Sequence, residues 1–339
     1  MKVMEIRGDW SPDNIVPAER PDPEPGPGEV LLRMRAASLN YRDFVMANRG
    51  YGRRSGTLPL VPVSDGAGEV VAVGSGVSRV APGDLVCPIF GQTWLSGSVR
   101  DELWEGMLGG PRDGVMQEFM VLSEEGVVRA PRHMSAVQAA TLPCAAVTAW
   151  NALVSQGELR QGDTVLVQGT GGVSLFALLF AKLKGAEVII TSSSDEKLAR
   201  AQALGADHLV NYRELPEWAA RVRELTAGAG VDHVVEVGGA GTLAQSIRAV
   251  RTSGTISLIG VLSGGAGSLN LGPVVTRNIR LQGVTVGSRE VFEEMAREME
   301  EHRIVPPIDE RTFAFEAVGD AIKAFAKGGH FGKVCASFA

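Results

Sequence analysis

A chain of 339 residues is long enough for about two domains with ample surface to bury, and 45% hydrophobic with 21% charged residues is ordinary for a soluble α/β enzyme. A net charge of −6 argues against nucleic acid or an anionic membrane as the main partner. Cys87, Cys144 and Cys335 are odd in number and far apart, residues 1–10 show no signal pattern, and no run of about 18 apolar residues exists. Reduced thiols and a cytoplasmic setting are therefore expected, with no membrane partner.

The first third reads as β-rich. Residues 20–28, RPDPEPGPG, are too proline-rich for a helix or central strand and form a surface connection. Residues 29–39 alternate, with Val30, Leu32, Met34 and Ala36 on one face and Arg33 and Arg35 on the other, which predicts a strand. A short helix is expected over 40–48 and a loop over 49–59. Residues 64–87 carry two short apolar runs broken by glycines, as in strands that turn sharply. Residues 90–114 read as a long irregular excursion, and strand pattern returns at 116–122.

From about residue 136 the pattern changes. An alanine-rich helical stretch, 139–154, leads into alternating strands (164–168, 188–191, 208–211, 233–237, 255–259, 281–286) and helices (173–184, 195–204, 216–226, 242–251). Each helix is followed by a glycine suited to a C-cap: Gly185, Gly205, Gly228 and Gly254. Repeated βα units with apolar strands imply a parallel sheet covered on both faces.

The first of these strands opens DTVLVQGTGGVS. Gly169 and Gly171 let the turn bend and the backbone approach a ligand, and the following helix points its first N–H groups outward, which suits a pyrophosphate. Ser174 holds the sixth position of the fingerprint, where glycine is usual. Alone the motif also fits a tight turn in another α/β unit. Six alternating strands make it a dinucleotide site, a Rossmann doubly wound six-stranded parallel sheet. After residue 290 come a helix, a turn at Pro306-Pro307, a second helix and a final strand, 333–338.

Three stretches in order, LPLVPVSDGAGEVVAVGSGVSRVAPGDLV, TLPCAAVTAWNAL and DTVLVQGTGGVSLFALLFAKLKGA, resemble the medium-chain dehydrogenase/reductase superfamily across essentially the whole chain. Within it the chain looks most like zinc-free quinone-oxidoreductase-like and alcohol-dehydrogenase-like members. The resemblance implies a β-rich GroES-like catalytic domain from both chain ends (1–136 and 288–339), a Rossmann domain between them (137–287), a site in the cleft, and a homodimer through strand 281–286.

Zinc members of the superfamily hold the metal with Cys, His and Cys. At the matching positions this chain has Asn40, Ser64 and Cys144, and amide and hydroxyl oxygens are poor ligands for a borderline-soft ion. Residues 90–114 lack the four cysteines of a structural zinc lobe. No zinc is expected, and Cys144 reads as a small hydrophobe rather than a ligand or nucleophile.

A strand specific for NAD usually ends in an acid that binds the ribose 2′-OH. Here strand 188–191 runs into Ser192, Ser193 and Ser194, which favours NADP(H) over NAD(H). The resemblance implies that Ser192, Ser193, Lys197 and Tyr212 surround the 2′-phosphate. The alternatives are that Ser194 and Asp195 only cap the next helix, or that Asp195 is the ribose acceptor. By motif position, Gly172 and Val173 join Gly169 and Gly171 at the pyrophosphate. Val237, Gly238, Ile259, Gly260 and Val261 end strands at the cofactor, and Lys333 falls where relatives place a basic residue on the pyrophosphate.

Hydride transfer to a carbonyl builds charge on oxygen, so a metal-free site needs donors or a proton. The aligned segments offer Asn40 as an oxyanion donor, Tyr51 as a proton donor or pocket wall, and Thr148 beside the nicotinamide. Tyr41 and Arg42 are further candidates, and Asp43 reads as a structural partner of a basic group. Val45 stands where some quinone oxidoreductases have a tyrosine. The leading expectation is an NADP(H)-dependent, metal-independent reductase of quinones, enones or aldehydes. An alcohol dehydrogenase and a nucleotide-binding protein with little turnover are the alternatives.

Overall fold

The computed structural model describes residues 1–338 and divides into two compact units: Met1–Val147 with Val286–Ala339, and Thr148–Thr285. The first border thus falls at residue 147 rather than 136. The reason is local: the helix Ala136–Ala139 packs on strands of the first unit, Cys87 Sγ donates to the Ala139 carbonyl, and the Cys144 N–H donates to Asp65.

In chain order the strands are β1 (Lys2–Ile6), β2 (Ile15–Glu19), β3 (Glu29–Ser38), β4 (Asp65–Val73), β5 (Leu85–Pro88), β6 (Phe119–Ser123), β7 (Val127–Arg129), β8 (Thr164–Gln168), β9 (Glu187–Ser192), β10 (His208–Asn211), β11 (Val231–Glu236), β12 (Val250–Leu258), β13 (Arg280–Gly283), β14 (Ile308–Ala314) and β15 (Lys333–Ser337).

The first unit is a mixed sheet in the order β14-β15-β3-β4-β5-β7, with β6 also on β3 and a separate β1-β2 ribbon. On β3 the alternation holds: Val30, Leu32, Met34 and Ala36 are buried while Arg33 is exposed. Four strands have no sequence signal strong enough to announce them. β2 carries Pro17, tolerated because it pairs only in the ribbon. β14, IDERTFA, is an exposed edge strand with three charged residues in a row, so no apolar face marks it. β1 and β7 are short or flanked by loops. Residues 90–114 are irregular as expected, apart from a one-turn helix, Leu103–Gly106.

The second unit is a parallel sheet in the order β10-β9-β8-β11-β12-β13, with the helices Gly172–Leu183, Asp195–Ala203, Trp218–Leu225 and Leu243–Ala249 between strands. Its core gathers Leu166, Ile189, Val210, Val234 and Ile256, one from each of five strands, with Trp218 and Ile247 from the helices. Gly185, Gly205 and Gly228 have positive φ after their helices, whereas Gly254 does not. The helix Leu243–Ala249 ends earlier, and Gly254 lies inside β12.

The helical stretch 136–155 contains two π-helical segments, Leu142–Ala146 and Asn151–Ser155. By length and composition it is apolar enough to cross a membrane, contrary to the reading of the sequence, but it is mostly buried within the protein. Trp150, fully buried, packs edge-on to Phe180 at 5.1 Å in the second unit.

Candidate active site

In the second unit the strand order reverses between β8 and β11, and ligands of open α/β sheets bind beyond the carboxyl ends of strands at such a point. Those ends carry Gln168 and Glu236. The glycine turn follows β8: Gly169 has φ +72°, a conformation that favours glycine, and Gly171 is the N-cap of the helix that starts at Gly172. The first intrahelical bond is from the Leu175 N–H to the Gly171 carbonyl. The N–H groups of Gly172 and Val173 therefore precede the helix ladder and are available to an anion. Ser174 does more than fit: it is buried, and its hydroxyl donates to the Gln168 carbonyl at 2.7 Å, pinning the helix start to the strand end.

Glu236 is the organiser of this edge, and it was not singled out in the sequence. Fully buried, its carboxyl accepts from the N–H groups of Gly238 (2.8 Å) and Gly239 (3.0 Å), from Thr242 Oγ1 (2.6 Å), from Gln168 Nε2 (2.7 Å) and from Ser246 Oγ. Gln168 in turn accepts from the Val237 and Gly238 N–H groups. The two side chains thus set the backbone of Val237 and Gly238. Gly260 lies so close that an added Cβ would sit 2.3 Å from the Val237 carbonyl oxygen, so glycine is required there. Ile259, Gly260 and Val261 line a cavity of about 240 Å³ with Leu243 and Leu258.

At the end of β9, Ser192 is buried and its hydroxyl accepts from the Ser194 N–H at 3.3 Å; Ser193 is half-buried. Ser194 caps the helix Asp195–Ala203 by accepting from the Lys197 N–H, and Asp195 accepts from Asn211 at 2.8 Å. The capping alternative is therefore real for Ser194, and Asp195 is engaged by Asn211, which pairs with Ser192 at the end of β9. Tyr212 is 42% exposed at the end of β10, its N–H on the Ser192 carbonyl. Thr148 is buried at the start of this unit.

In the first unit a buried polar cluster gathers the three positions weighed as metal ligands. Lys333, on β15, is 2% exposed. Its Nζ donates to the Leu39 carbonyl at 2.7 Å and to Asn40 Oδ1 at 2.5 Å, and lies 4.0 Å from Asp65 Oδ2. This setting differs from the exposed cation that a pyrophosphate contact calls for, because burying an ammonium demands partners and the cluster supplies them. Asp65, fully buried, accepts from Ser64 Oγ at 2.8 Å and from the Cys144 N–H at 3.0 Å. Asp65 stands in the VSDGAG motif, but nothing in the sequence pairs it with a lysine so far away in the chain.

Asn40 precedes the helix Tyr41–Ala47, and its N–H donates to Asp43 Oδ2 at 2.8 Å. Its side-chain Nδ2 is buried and makes no hydrogen bond, although the amide lies close enough to Asp65 to favour the ionised carboxyl. An orphaned buried donor costs about 1–3 kcal/mol. Arg42, beside it, donates to the carbonyls of Leu108 and Gly110 and lies over the Phe90 ring. Asp43 meets Arg42 at 3.5 Å, as expected of a structural partner, and also accepts from the Ser64 N–H. Tyr51 is 37% exposed, and partial burial raises its phenol against the opposing charge of Arg42.

Desolvation dominates the titration of this cluster. It pushes Asp43 up to about 6, opposed by Arg42 and reinforced by Asp65, and it raises Asp65 against the pull of Lys333. Burial likewise pushes the Cys144 thiol up to about 12, so it is a neutral thiol at physiological pH. For Asp43 the folded value lies above the unfolded value of 3.8, so the folded state holds the proton more tightly between them. Its contribution to stability therefore falls as pH rises from about 4 to about 6. An Asp43→Asn variant should gain on the wild type across that window by on the order of 2–3 kcal/mol. Urea unfolding at a series of pH values measures this, and a difference that is flat with pH would refute it.

Two family profiles match the chain: "Alcohol dehydrogenase GroES-like domain" over residues 26–132 and "Zinc-binding dehydrogenase" over 172–301. A zinc-type alcohol dehydrogenase-like protein of Schizosaccharomyces pombe is 43% identical, covering 95% of this chain and 94% of its own. The chain belongs to the medium-chain dehydrogenase/reductase superfamily. It is an NAD(P)H-dependent oxidoreductase of that type, built from a Rossmann unit and a GroES-like unit. A Pseudomonas aeruginosa quinone oxidoreductase is 35% identical over 74% of this chain and 70% of its own. Among solved structures, one from Sinorhizobium meliloti superposes with a TM-score of 0.92 at 44% identity, covering 99% of this chain and 98% of that one. An NAD-dependent alcohol dehydrogenase superposes with a TM-score of 0.90 at 36% identity, with full coverage of both chains.

The superfamily profile names zinc, and the residues at the matching positions do not fit it. The Lys333 ammonium is bonded to the Asn40 amide oxygen and lies 4.0 Å from Asp65, so a divalent cation would have to share the pocket with that positive charge. Among the described residues no group of three or more His, Cys, Asp or Glu side chains is arranged to hold a metal.

Proposed function

We propose that this medium-chain dehydrogenase/reductase is an NADP(H)-dependent, metal-independent reductase of quinones, enones or aldehydes. The observation that carries the metal-free part is the Lys333 ammonium bonded to Asn40 and paired with Asp65, among the positions that hold zinc in relatives. The preference for NADP(H) is supported by a β9 that ends in Ser192, followed by Ser193, with no acid, and by Asp195 being taken up by Asn211. The bound dinucleotide supplies hydride to the electrophilic carbon of the substrate.

The chain's own residues do the rest. The N–H groups of Gly172 and Val173 receive the pyrophosphate, the loops set by Glu236 and Gln168 hold the dinucleotide, and Asn40 donates to the oxygen that gains the displaced π electrons. That oxygen then takes a proton from solvent or from Tyr51. A quinone or activated enone asks less electrophilic help than a simple ketone, so orientation carries much of the rate.

NADPH oxidation with a panel of quinones, enones and aldehydes, on protein whose metal content is measured, tests the reading. Turnover with at least one of these classes in metal-free protein is expected. One zinc per chain, together with loss of turnover on chelation, would overturn it. The names of several relatives favour a second reading, oxidation of alcohols with NAD⁺. The same panel run with alcohols and both oxidised cofactors separates the two. We also propose a cytoplasmic homodimer joined through β13, which among the described residues pairs with β12 alone. Light scattering that gives a monomer mass at working concentration would reject it.

A further inference from the structure

Between Asp43 and Asp65 the chain carries no acid but three arginines, Arg49, Arg53 and Arg54, although its net charge is −6. All three are exposed, and so is Arg112. Among the described residues none of these four guanidiniums has an ion-pair or hydrogen-bond partner. Other exposed arginines, such as Arg129 and Arg248, meet acids. The acid beside Arg112 is already engaged, since Asp113 accepts from Arg20 at 2.5 Å and from the Val61 N–H at 2.9 Å. Asp101, Glu102 and Glu105 pair with none of the four.

Two stretches of the first unit bring these cations onto one surface. Arg53 and Arg54 lie in the short turn Gly52–Ser55, which follows the helix Tyr41–Ala47. Gly56, just after the turn, packs against the second stretch: an added Cβ there would stand 2.9 Å from the Pro111 Cα. Arg112 follows that proline, its N–H on the Met107 carbonyl at 3.1 Å. From the same stretch Trp104 offers its ring to Arg54, whose guanidinium carbon lies 4.4 Å from the ring centre. Stacking fixes the plane of a guanidinium and leaves its N–H edge open to an acceptor. On the inner side, Arg42 ties the stretch down through the Leu108 and Gly110 carbonyls. Tyr51 borders the turn, its carbonyl accepting from the Arg54 N–H at 3.2 Å.

We propose that this surface is a binding site for a small phosphate monoester, gripped by Arg53, Arg54 and Arg112, with Arg49 adding to the field. It lies wholly within the first unit and is separate from the glycine turn of the second. A guanidinium presents paired N–H donors that match two oxygens at once. A phosphate monoester offers three terminal oxygens and roughly two negative charges, enough to engage several guanidiniums together. A carboxylate has one charge and fewer oxygens. The arginines repel one another while no anion stands between them, so a dianion gains from all of them at once. A polyanion such as nucleic acid is disfavoured, because beyond the patch it meets a chain whose net charge is −6.

Calorimetric titration of the full chain with phenyl phosphate, after NADPH has filled the dinucleotide site, tests this. One saturable site per chain is expected, with a Kd of about 1 mM or below at low salt. R53Q/R54Q should weaken it by about tenfold or more, and R112Q by about threefold. R112Q alters the facing stretch alone, so it decides the matter if R53Q/R54Q does not fold. NADPH affinity, read by fluorescence, should be the same in wild type and variants. Benzoate should bind about tenfold more weakly than phenyl phosphate. No saturation by about 10 mM phenyl phosphate, undiminished affinity in a folded variant, or benzoate bound as tightly would each overturn the proposal. So would a parallel loss of NADPH affinity in the variants, which would make these arginines part of the dinucleotide site.

Discussion

Replacing Glu236 with leucine should unfold the Rossmann unit or leave it unable to bind dinucleotide. Five donors converge on this carboxyl: two loop N–H groups, two hydroxyls and the Gln168 amide. Gln168 Nε2, the Gly238 N–H and the Thr242 hydroxyl keep second acceptors, but the Gly239 N–H and the Ser246 hydroxyl would be left without one at about 1–3 kcal/mol each, on top of the contacts the other three lose. Glu236→Gln is the informative variant. It keeps the shape, but its NH₂ group must face donors at one of the two oxygen positions. Stability should fall by about 2 kcal/mol and NADPH affinity by about tenfold, because the Val237–Gly238 backbone is no longer held. Urea unfolding and fluorescence titration with NADPH measure the two effects. A folded Glu236→Gln protein with unchanged affinity would show that this network serves the core alone.

The second large effect concerns cofactor choice. Ser192→Asp places a carboxylate at the end of β9, where NAD-specific sheets carry an acid. It would repel a 2′-phosphate and accept from the two ribose hydroxyls of NADH. Like charges brought together at a binding site cost several kcal/mol, so the ratio of kcat/KM for NADPH over NADH should fall by about a hundredfold or more. The apo fold should tolerate the change, because the Ser194 N–H that now bonds the Ser192 hydroxyl is available to the new carboxylate. Steady-state kinetics with both cofactors gives the ratio. If it moves by less than a factor of two, the end of β9 does not read the 2′ position.

The parts of this architecture that were legible in the sequence are those written in local periodicity. The six parallel strands and the glycine turn stood out because buried parallel strands are apolar runs and Gly169 interrupts one at a fixed offset. β14 was missed for the opposite reason. It is an edge strand whose Glu310 and Arg311 face water, and it owes its existence to pairing with β15. Asn40 and Cys144 were found through their motif positions, as was Ser64.

Their partner Lys333 was also noticed, but in the wrong setting. A lysine far along the chain gives no local sign that β15 will lie beside β3 and carry its ammonium to Asn40 and Asp65. Glu236 and Gln168 escaped because a polar residue at a strand end looks the same whether it faces water or organises two loops. Ser174 in the sequence shows only a departure from the usual glycine, whereas its hydroxyl ties the helix to the strand before it.

The pairing of β15 with β3, Cys335 opposite Ser38, has a bearing on how the protein is made. The Rossmann unit is one uninterrupted run, Thr148–Thr285, and can fold as soon as it leaves the ribosome. The GroES-like unit cannot be completed then. Its sheet waits for a strand synthesised after the whole Rossmann unit, and until that strand docks, Asp65 has no cation beside it. The nascent chain should thus acquire dinucleotide affinity before it acquires a finished catalytic unit, an order that ribosome-arrested chains of increasing length would display.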